Sequence, residues 1–496
     1  MMMKNYNRLK TVFARISRLQ YAQRILMWDE AVMMPEGAQE ARAHTVATLN
    51  RTIHRMLTNR KVKTLIDKAR DEDRLSSWDV VNLNIMEKKY NKAACIPLKL
   101  TEESTRAMIR CEQAWRTLRQ QNNWQDFIPY LDQTFRFVRE IAERESQVTH
   151  LSPYDALLDK YAEGFGQSDI DDIFLKLKQF LPALVTQIRG KQQSDTICVA
   201  RGRFGIEKQK ALGLKVMQAL QFDFKRGRLD VSHHPFCSGG PSDVRITTRY
   251  SEDEFISSLF GICHETGHAI YEQGLPAEWL EQPIGQIDNM VMHESQSLLV
   301  EMDVCRSKAF IEYLIPLIQD EFGTQAAFTV ENLYKYVTRV KPGLIRVDAD
   351  EVTYPLHIIL RYELEKALMS GDLQLQDLPS AWNERMAQYF DLSTLNNDKD
   401  GVMQDVHWAS GAFGYFPAYT LGRLMAAQLF DTFRQMHGQF SESVRHGQFQ
   451  VLTQWLNKNV HSLAASLPVN DLLINVTGAA LDPQYFLAHI QRRYLD

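Results

Sequence analysis

Helix breakers are scarce in this chain. Its 24 glycines and 16 prolines make 40 in 496 residues, about 8 % where roughly 12 % is average. So few interruptions favour long helices, and the hydrophobic spacing agrees. Leu9, Val12, Phe13, Ile16, Leu19 and Leu26 recur at three-, four- and seven-residue intervals, with Arg8, Arg15 and Arg18 between them, as one face of a helix requires. A turn at Met34-Pro35-Glu36-Gly37 precedes a second helical pattern from Gln39 to Leu57. Leu131, Phe135, Val138 and Ala142 repeat the pattern, as do Phe174, Leu177, Leu181 and Leu184. Pro182 within that last set predicts a kink or a helix boundary. One stretch differs: Val244, Ile246, Thr248 and Tyr250 alternate with Asp243, Arg245, Thr247 and Arg249, the two-residue period of a strand. No linker, repeat or low-complexity tract divides the chain, so a single, mainly α domain over residues 1–496 is expected, with a small sheet inside it.

Composition removes several classes. With 45 % hydrophobic and 24 % charged residues, the chain is neither disordered nor a small disulfide scaffold. Lys and Arg number 57 against 61 Asp and Glu, a net charge of −4, which predicts no nucleic-acid partner. No run approaches the ~20 apolar residues of a membrane span, and the N-terminal residues lack an apolar signal core. Cys95, Cys111, Cys198, Cys237, Cys263 and Cys305 are scattered without a C-x-x-C pair. Reduced thiols and a cytoplasmic location are expected.

The chemistry is concentrated in His264-Glu265-Thr266-Gly267-His268. Residues four apart share a helix face, so both imidazoles can reach one ion while Glu265 meets a water beside it. The flanking Phe260, Ile262 and Ile270 predict a buried helix, where two histidines and a carboxylate have no bland reason to gather. A catalytic zinc needs a third ligand and one open position. The third and sixth positions after His268 are Tyr271 and Gly274, which excludes the metzincin arrangement. Glu294, in Met292-His293-Glu294-Ser295-Gln296, is the expected third ligand; Glu301 and Asp303 are the weaker candidates. Zinc polarises a carbonyl and activates water, with cobalt a substitute, and Glu265 is the expected general base.

Six blocks then occur in order: His-Pro-Phe at 234–236, Asp-x-Arg-x-Thr at 243–247, H-E-x-x-H at 264–268, His-Glu-Ser-Gln at 293–296, Ile-Arg-x-x-Ala-Asp at 345–350 and Gly-x-x-Gln-Asp-x-His-Trp at 401–408. In this the sequence resembles the carboxypeptidase Taq family of zinc metallocarboxypeptidases, and Trp28-Asp29 with Met34-Pro35 extend the likeness towards the N-terminus. The resemblance implies a helical zinc-peptidase (neurolysin-like) architecture with a long substrate groove, and a small antiparallel β-sheet beside the active site. It implies a homodimer that removes single residues from peptides with a free C-terminal carboxylate, with broad side-chain tolerance. On this reading Arg346 meets the carboxylate, its bidentate fork suiting that group. An ion pair with Asp348 or Asp350 is the plainer alternative, and Arg245 and Arg249 are rivals. His407 and Tyr419 are expected at the oxyanion, with Tyr415 the second choice; a core histidine bonded to Asp405 is the bland reading of His407. Further substrate contacts are expected at His234, Pro235, Phe236, Asp243, Arg245 and Thr247. Asp350, Gln404, Asp405, Trp408 and Tyr415 complete that expected lining.

Two other functions compete. A helical endopeptidase would share the zinc chemistry but need no arginine for a free carboxylate. A scaffold with structural zinc would close its site with a fourth ligand, and no Cys or His stands at an obvious spacing near His264.

Overall fold

The computed structural model describes residues 3–286 and 289–496. Helices predominate, as the scarcity of breakers predicts. The first runs from Lys4 to Val32 and buries Leu9, Phe13 and Ile16, members of the expected stripe. The second spans Gln39–Leu57. With Arg60–Arg70 and Ser77–Ala94, the first helix encloses a core of its own, built on Tyr6, Leu9, Phe13, Val62, Ile66, Leu83 and Met86. A far larger core gathers the later helices around residues such as Leu177, Phe310, Leu360 and Trp382.

Pro182 does not end its helix, which continues from Gln167 to Gln192. Its ring lies on the exposed face, where water can satisfy the carbonyl left without a helical donor. The predicted boundary is therefore absent. All six cysteines are free thiols, and among the described residues no helix is long and apolar enough to cross a membrane.

The sheet corrects a second expectation. It has three strands, β1 (Gly227–Val231), β2 (Cys237–Gly240) and β3 (Asp243–Thr248), in the order β1-β3-β2. β2 and β3 are antiparallel, but β1 and β3 are parallel, so the sheet is mixed rather than antiparallel. A tight turn reverses the chain between Gly240 and Asp243, and the 232–236 loop carries it across first, so β3 returns in the direction of β1. Alternation on β3 turns Val244 and Ile246 inwards against Ile262 and Ala269 of the helix Ile256–Gln273. The apolar face of the strand thus seats the sheet on the helix that carries the H-E-x-x-H motif.

Candidate metal centre

His264 and His268 project from the helix Ile256–Gln273 with their ring centroids 4.9 Å apart. Glu294 comes from the helix Met290–Leu298, whose start is capped by Asn289 accepting from Val291 N and Met292 N at 3.0 and 3.2 Å. Two glycines let these backbones meet. A methyl on Gly267 would lie 2.6 Å from Ser297 Cα, and one on Gly422, in the helix Pro417–Met436, 2.9 Å from Glu294 Cβ. Glu294 is therefore held between two close helix approaches. Its Oε1 stands 4.0 Å from His264 Nε2 and its Oε2 3.6 Å from His268 Nε2. Ligand atoms on a tetrahedral zinc with bonds of ~2.0–2.2 Å lie roughly 3.4 Å apart, so the three side chains fit an ion with small adjustments. Among the described residues they form the one His, Cys and carboxylate group so arranged.

The outer nitrogens explain why the inner ones converge. His264 Nδ1 donates to Glu301 Oε2 at 3.0 Å, and His268 Nδ1 donates to the His293 carbonyl at 3.0 Å. Each bond places the Nε2 lone pair towards the common centre, the usual device of a metal-binding histidine. Glu301 is itself held by Arg306, whose Nη2 donates at 2.8 Å. It lies in a π-helical segment, Leu299–Cys305, a local widening frequent at functional sites. Glu301 thus orients His264, while Asp303 faces Arg423 at 2.9 Å instead.

The centre is electronegative. Burial opposes a proton on His264, but the Glu301 hydrogen bond and the Glu294 charge push its pKa up to about 10. The charge that favours a proton there favours a divalent cation equally. Replacing Glu301 with Gln is expected to weaken metal binding roughly 10- to 100-fold, read by competition with a chromogenic chelator. Unchanged affinity would show that packing alone orients His264.

Glu265 is buried, and its Oε2 has no hydrogen-bond partner in the protein. Burial pushes its pKa up to about 7; His264 works against the shift, and the Glu294 and Glu301 charges add to it. A bound cation pulls in the other direction. An unpaired carboxylate oxygen next to the His264, His268 and Glu294 cluster is what a general base requires.

A second cluster flanks the first. Arg346 is buried, and its Nε and Nη2 donate to Asp405 Oδ1 at 2.9 and 2.8 Å. Its acidic partner is thus Asp405 rather than Asp348 or Asp350. Arg361, fully buried, donates to the other oxygen at 2.7 Å. Burial alone would raise the Asp405 carboxyl, but the two guanidinium groups hold it well below the usual carboxylate range. His407 Nε2 and the Tyr419 hydroxyl are 3.1 Å apart, and the Tyr415 ring lies 5.2 Å from that of Tyr419. His407 Nδ1 is 4.0 Å from Asp405 and has no hydrogen-bond partner, so the expected core bond is not made. Burial, countered by Asp405, lowers His407 to about 4 and keeps it neutral at ordinary pH.

Other expected contacts have evident scaffolding duties. Asp350 accepts from Lys341 N, Val352 N and Thr353 N and from the Thr353 hydroxyl, setting the start of the helix Tyr354–Ser370. Gln404 accepts from Arg346 N at 2.8 Å, and buried Trp408 donates to Glu365 at 2.8 Å. On the sheet, Asp243 accepts from Arg245 and from the Tyr21 hydroxyl of the first helix, and Arg245 lies 4.3 Å over the Trp28 ring. Arg245 is therefore engaged in joining that helix to β3, and Arg249 is exposed at the strand's end. Buried Thr247 accepts from Phe236 N at 3.1 Å and from Ser232 Oγ at 2.7 Å, fastening the loop that exposes His234 and Pro235.

Sequence reasoning missed Tyr354, Arg361 and Glu365, which stand along one helix. Tyr354 accepts from Arg346 Nη1 at 2.6 Å, and Glu365 accepts from Tyr154, Trp408 and Gly414 N, each at 2.8 Å. Burial lifts Glu365 to about 7 against those three donors. The available signal was Arg361 and Glu365, four apart amid the apolar residues of YPLHIILRYELEKAL.

Known proteins are similar to this chain over nearly its whole length. Residues 8–494 match the family described as carboxypeptidase Taq (M32) metallopeptidase. The chain is 37 % identical over 479 residues to thermostable carboxypeptidase 1 of Thermus thermophilus, covering 94 % of each, and 35 % identical to carboxypeptidase 1 of Bacillus subtilis, covering 97 % and 96 %. Among solved structures, Trypanosoma cruzi metallocarboxypeptidase 1 superposes with a TM-score of 0.98 at 39 % identity over 100 % of both chains. The M32 carboxypeptidase of Deinococcus radiodurans superposes at 0.93 with 30 % identity over 99 % of each. With fold, order of elements and length all shared, the chain belongs to the carboxypeptidase Taq (M32) family and is a metallocarboxypeptidase.

Proposed function

We propose that this metallocarboxypeptidase uses zinc, held by His264, His268 and Glu294, to remove single residues of varied side chain from peptide C-termini. The observation that carries the reading is the ligand triad whose outer nitrogens are fixed by Glu301 and the His293 carbonyl, with the free oxygen of Glu265 alongside. Zinc supplies a Lewis acid that polarises the scissile carbonyl and lowers the pKa of water towards ~7; cobalt would serve similarly.

The protein's own groups do the rest. Glu265 accepts a proton from the attacking water and passes it to the leaving amine. Tyr419, with neutral His407 at 3.1 Å to hold its hydroxyl, donates to the oxyanion as charge develops. Tyr415 packs beside it. Arg346, kept rigid by Asp405, receives the C-terminal carboxylate on the N–H groups that Asp405 leaves free. The family resemblance extends the proposal to a homodimer.

Mass spectrometry of one peptide as free acid and as C-terminal amide tests this. Stepwise loss of single residues from the acid alone, halted by a chelator and restored by zinc, is expected. Arg346→Lys keeps the charge but loses the fork, and should raise KM for the acid about tenfold or more. Internal cleavage of both peptides would instead make the enzyme an endopeptidase.

A further inference from the structure

Arg346 carries five N–H donors. Nε and Nη2 each give one to Asp405, and Nη1 gives one to the Tyr354 hydroxyl at 2.6 Å. One N–H on each terminal nitrogen is then left, and Tyr354 stands at the Nη1 end. A phenol accepts with its lone pairs and donates its single proton. Having accepted from a cation, Tyr354 keeps that proton to give, and no protein acceptor takes it among the described residues. Burial raises its pKa above that of an ordinary phenol, so the proton is present throughout the physiological range.

The position of Tyr354 fits such a donation. Asp350 fixes the turn into its helix through bonds to Val352 N and Thr353 N. Its ring is only partly buried and lies 6.2 Å from that of Tyr419, nearly perpendicular, while the Arg346 guanidinium lies 5.0 Å over the Tyr419 ring. Arg346, Tyr354 and Tyr419 therefore form one contiguous group bordering the ligand Glu294, whose charge acts on both tyrosines.

We propose that Tyr354 determines specificity for a free C-terminus, donating its hydroxyl proton to one carboxylate oxygen while Arg346 donates to the carboxylate from its remaining N–H groups. This rests on the assignment of Arg346 made above. A carboxylate offers acceptors alone and is matched by donors on both sides. A terminal amide would bring its own N–H groups against those donors and leave them without an acceptor, the arrangement by which a polar site rejects an analogue.

The test measures binding without turnover. Zinc-loaded Glu265→Gln protein, with and without Tyr354→Phe, is titrated calorimetrically with the peptide Ala-Ala-Ala-Phe and with its amide. Phe keeps the ring packed against Tyr419, and zinc content and Tm serve as folding controls. Tyr354→Phe is expected to weaken the free acid about tenfold or more, as loss of a hydrogen bond to a charged group does, and to leave the amide within about twofold. In the Glu265-bearing enzyme the same substitution raises KM for the acid with little change in kcat. If the acid-to-amide affinity ratio is unchanged by Tyr354→Phe but falls in Arg346→Lys, the proposal for Tyr354 is overturned and the carboxylate reading stands. If neither variant moves the ratio, both fail.

Discussion

Glu265→Gln is expected to lower kcat about a thousandfold while leaving metal content and Tm unchanged. General acid–base groups contribute typically ~10²–10⁴ in rate, and this side chain has no evident structural partner to lose, since its Oε2 is unpaired. Gln keeps the volume and one acceptor but cannot take a proton. The local charges suit the carboxylate to act as a base: burial, Glu294 and Glu301 raise it to about 7, while a cation held by His264, His268 and Glu294 would draw it down and keep it ionised. Steady-state rates on a free-acid peptide, with metal analysis of the same sample, decide the matter. Retention of more than about a tenth of kcat would assign the proton transfer to another group.

Asp405→Ala is expected to destabilise the protein by about 3–5 kcal/mol, the usual consequence of removing one partner from a buried ion pair. Here two cations lose their counter-charge, because Arg346 and Arg361 are 6 % and 0 % exposed and both bond this carboxylate. The effect should depend on pH. Asp405 is held below the carboxylate range in the fold, chiefly by Arg361 and Arg346 overcoming burial, and returns to ~3.9 when unfolded. A depressed folded pKa stabilises fully above the unfolded value and is lost as pH falls through the folded one. The stability gap between wild type and Asp405→Asn should hold between pH 7 and about 5, then narrow below about 4. Denaturant titrations at several pH values measure it. In the same variants Arg346 loses its anchor, so KM for free-acid peptides should rise even where the fold survives. An unchanged KM would show that the Tyr354 contact suffices to hold the fork.

The two arginines illustrate how sequence reading succeeds and where it stops. Arg346 was identifiable from its motif, but its partner lies 59 residues away, and Arg361, 44 residues from Asp405, carries no motif. The buried charges of the helix Tyr354–Ser370 show in the sequence as Arg361 and Glu365, set among apolar residues and further polar ones at His357, Glu363 and Lys366. Glu301 reads as a spare ligand by spacing alone. Its place in a π-helical turn, with Arg306 behind it, makes it the partner of His264 instead. Similarly, the alternation of β3 predicts which residues face inwards but not that β1 runs parallel to it.

What the sequence by itself determined is local. The scarcity of Gly and Pro and the 3.6-residue spacing give helices, and the four-residue step from His264 to His268 puts two imidazoles on one face. The sequence puts Glu294 forward as the third candidate ligand, ahead of Glu301 and Asp303. The tertiary structure alone decided which faces meet. Gly267 and Gly422 close two helices on Glu294, Asp405 draws Arg346 and Arg361 together, and Tyr354 comes to stand at the end of that fork. The reason is physical: periodicity reports how a side chain leaves its own backbone, whereas the partner of a buried charge is set by packing between segments distant in the chain.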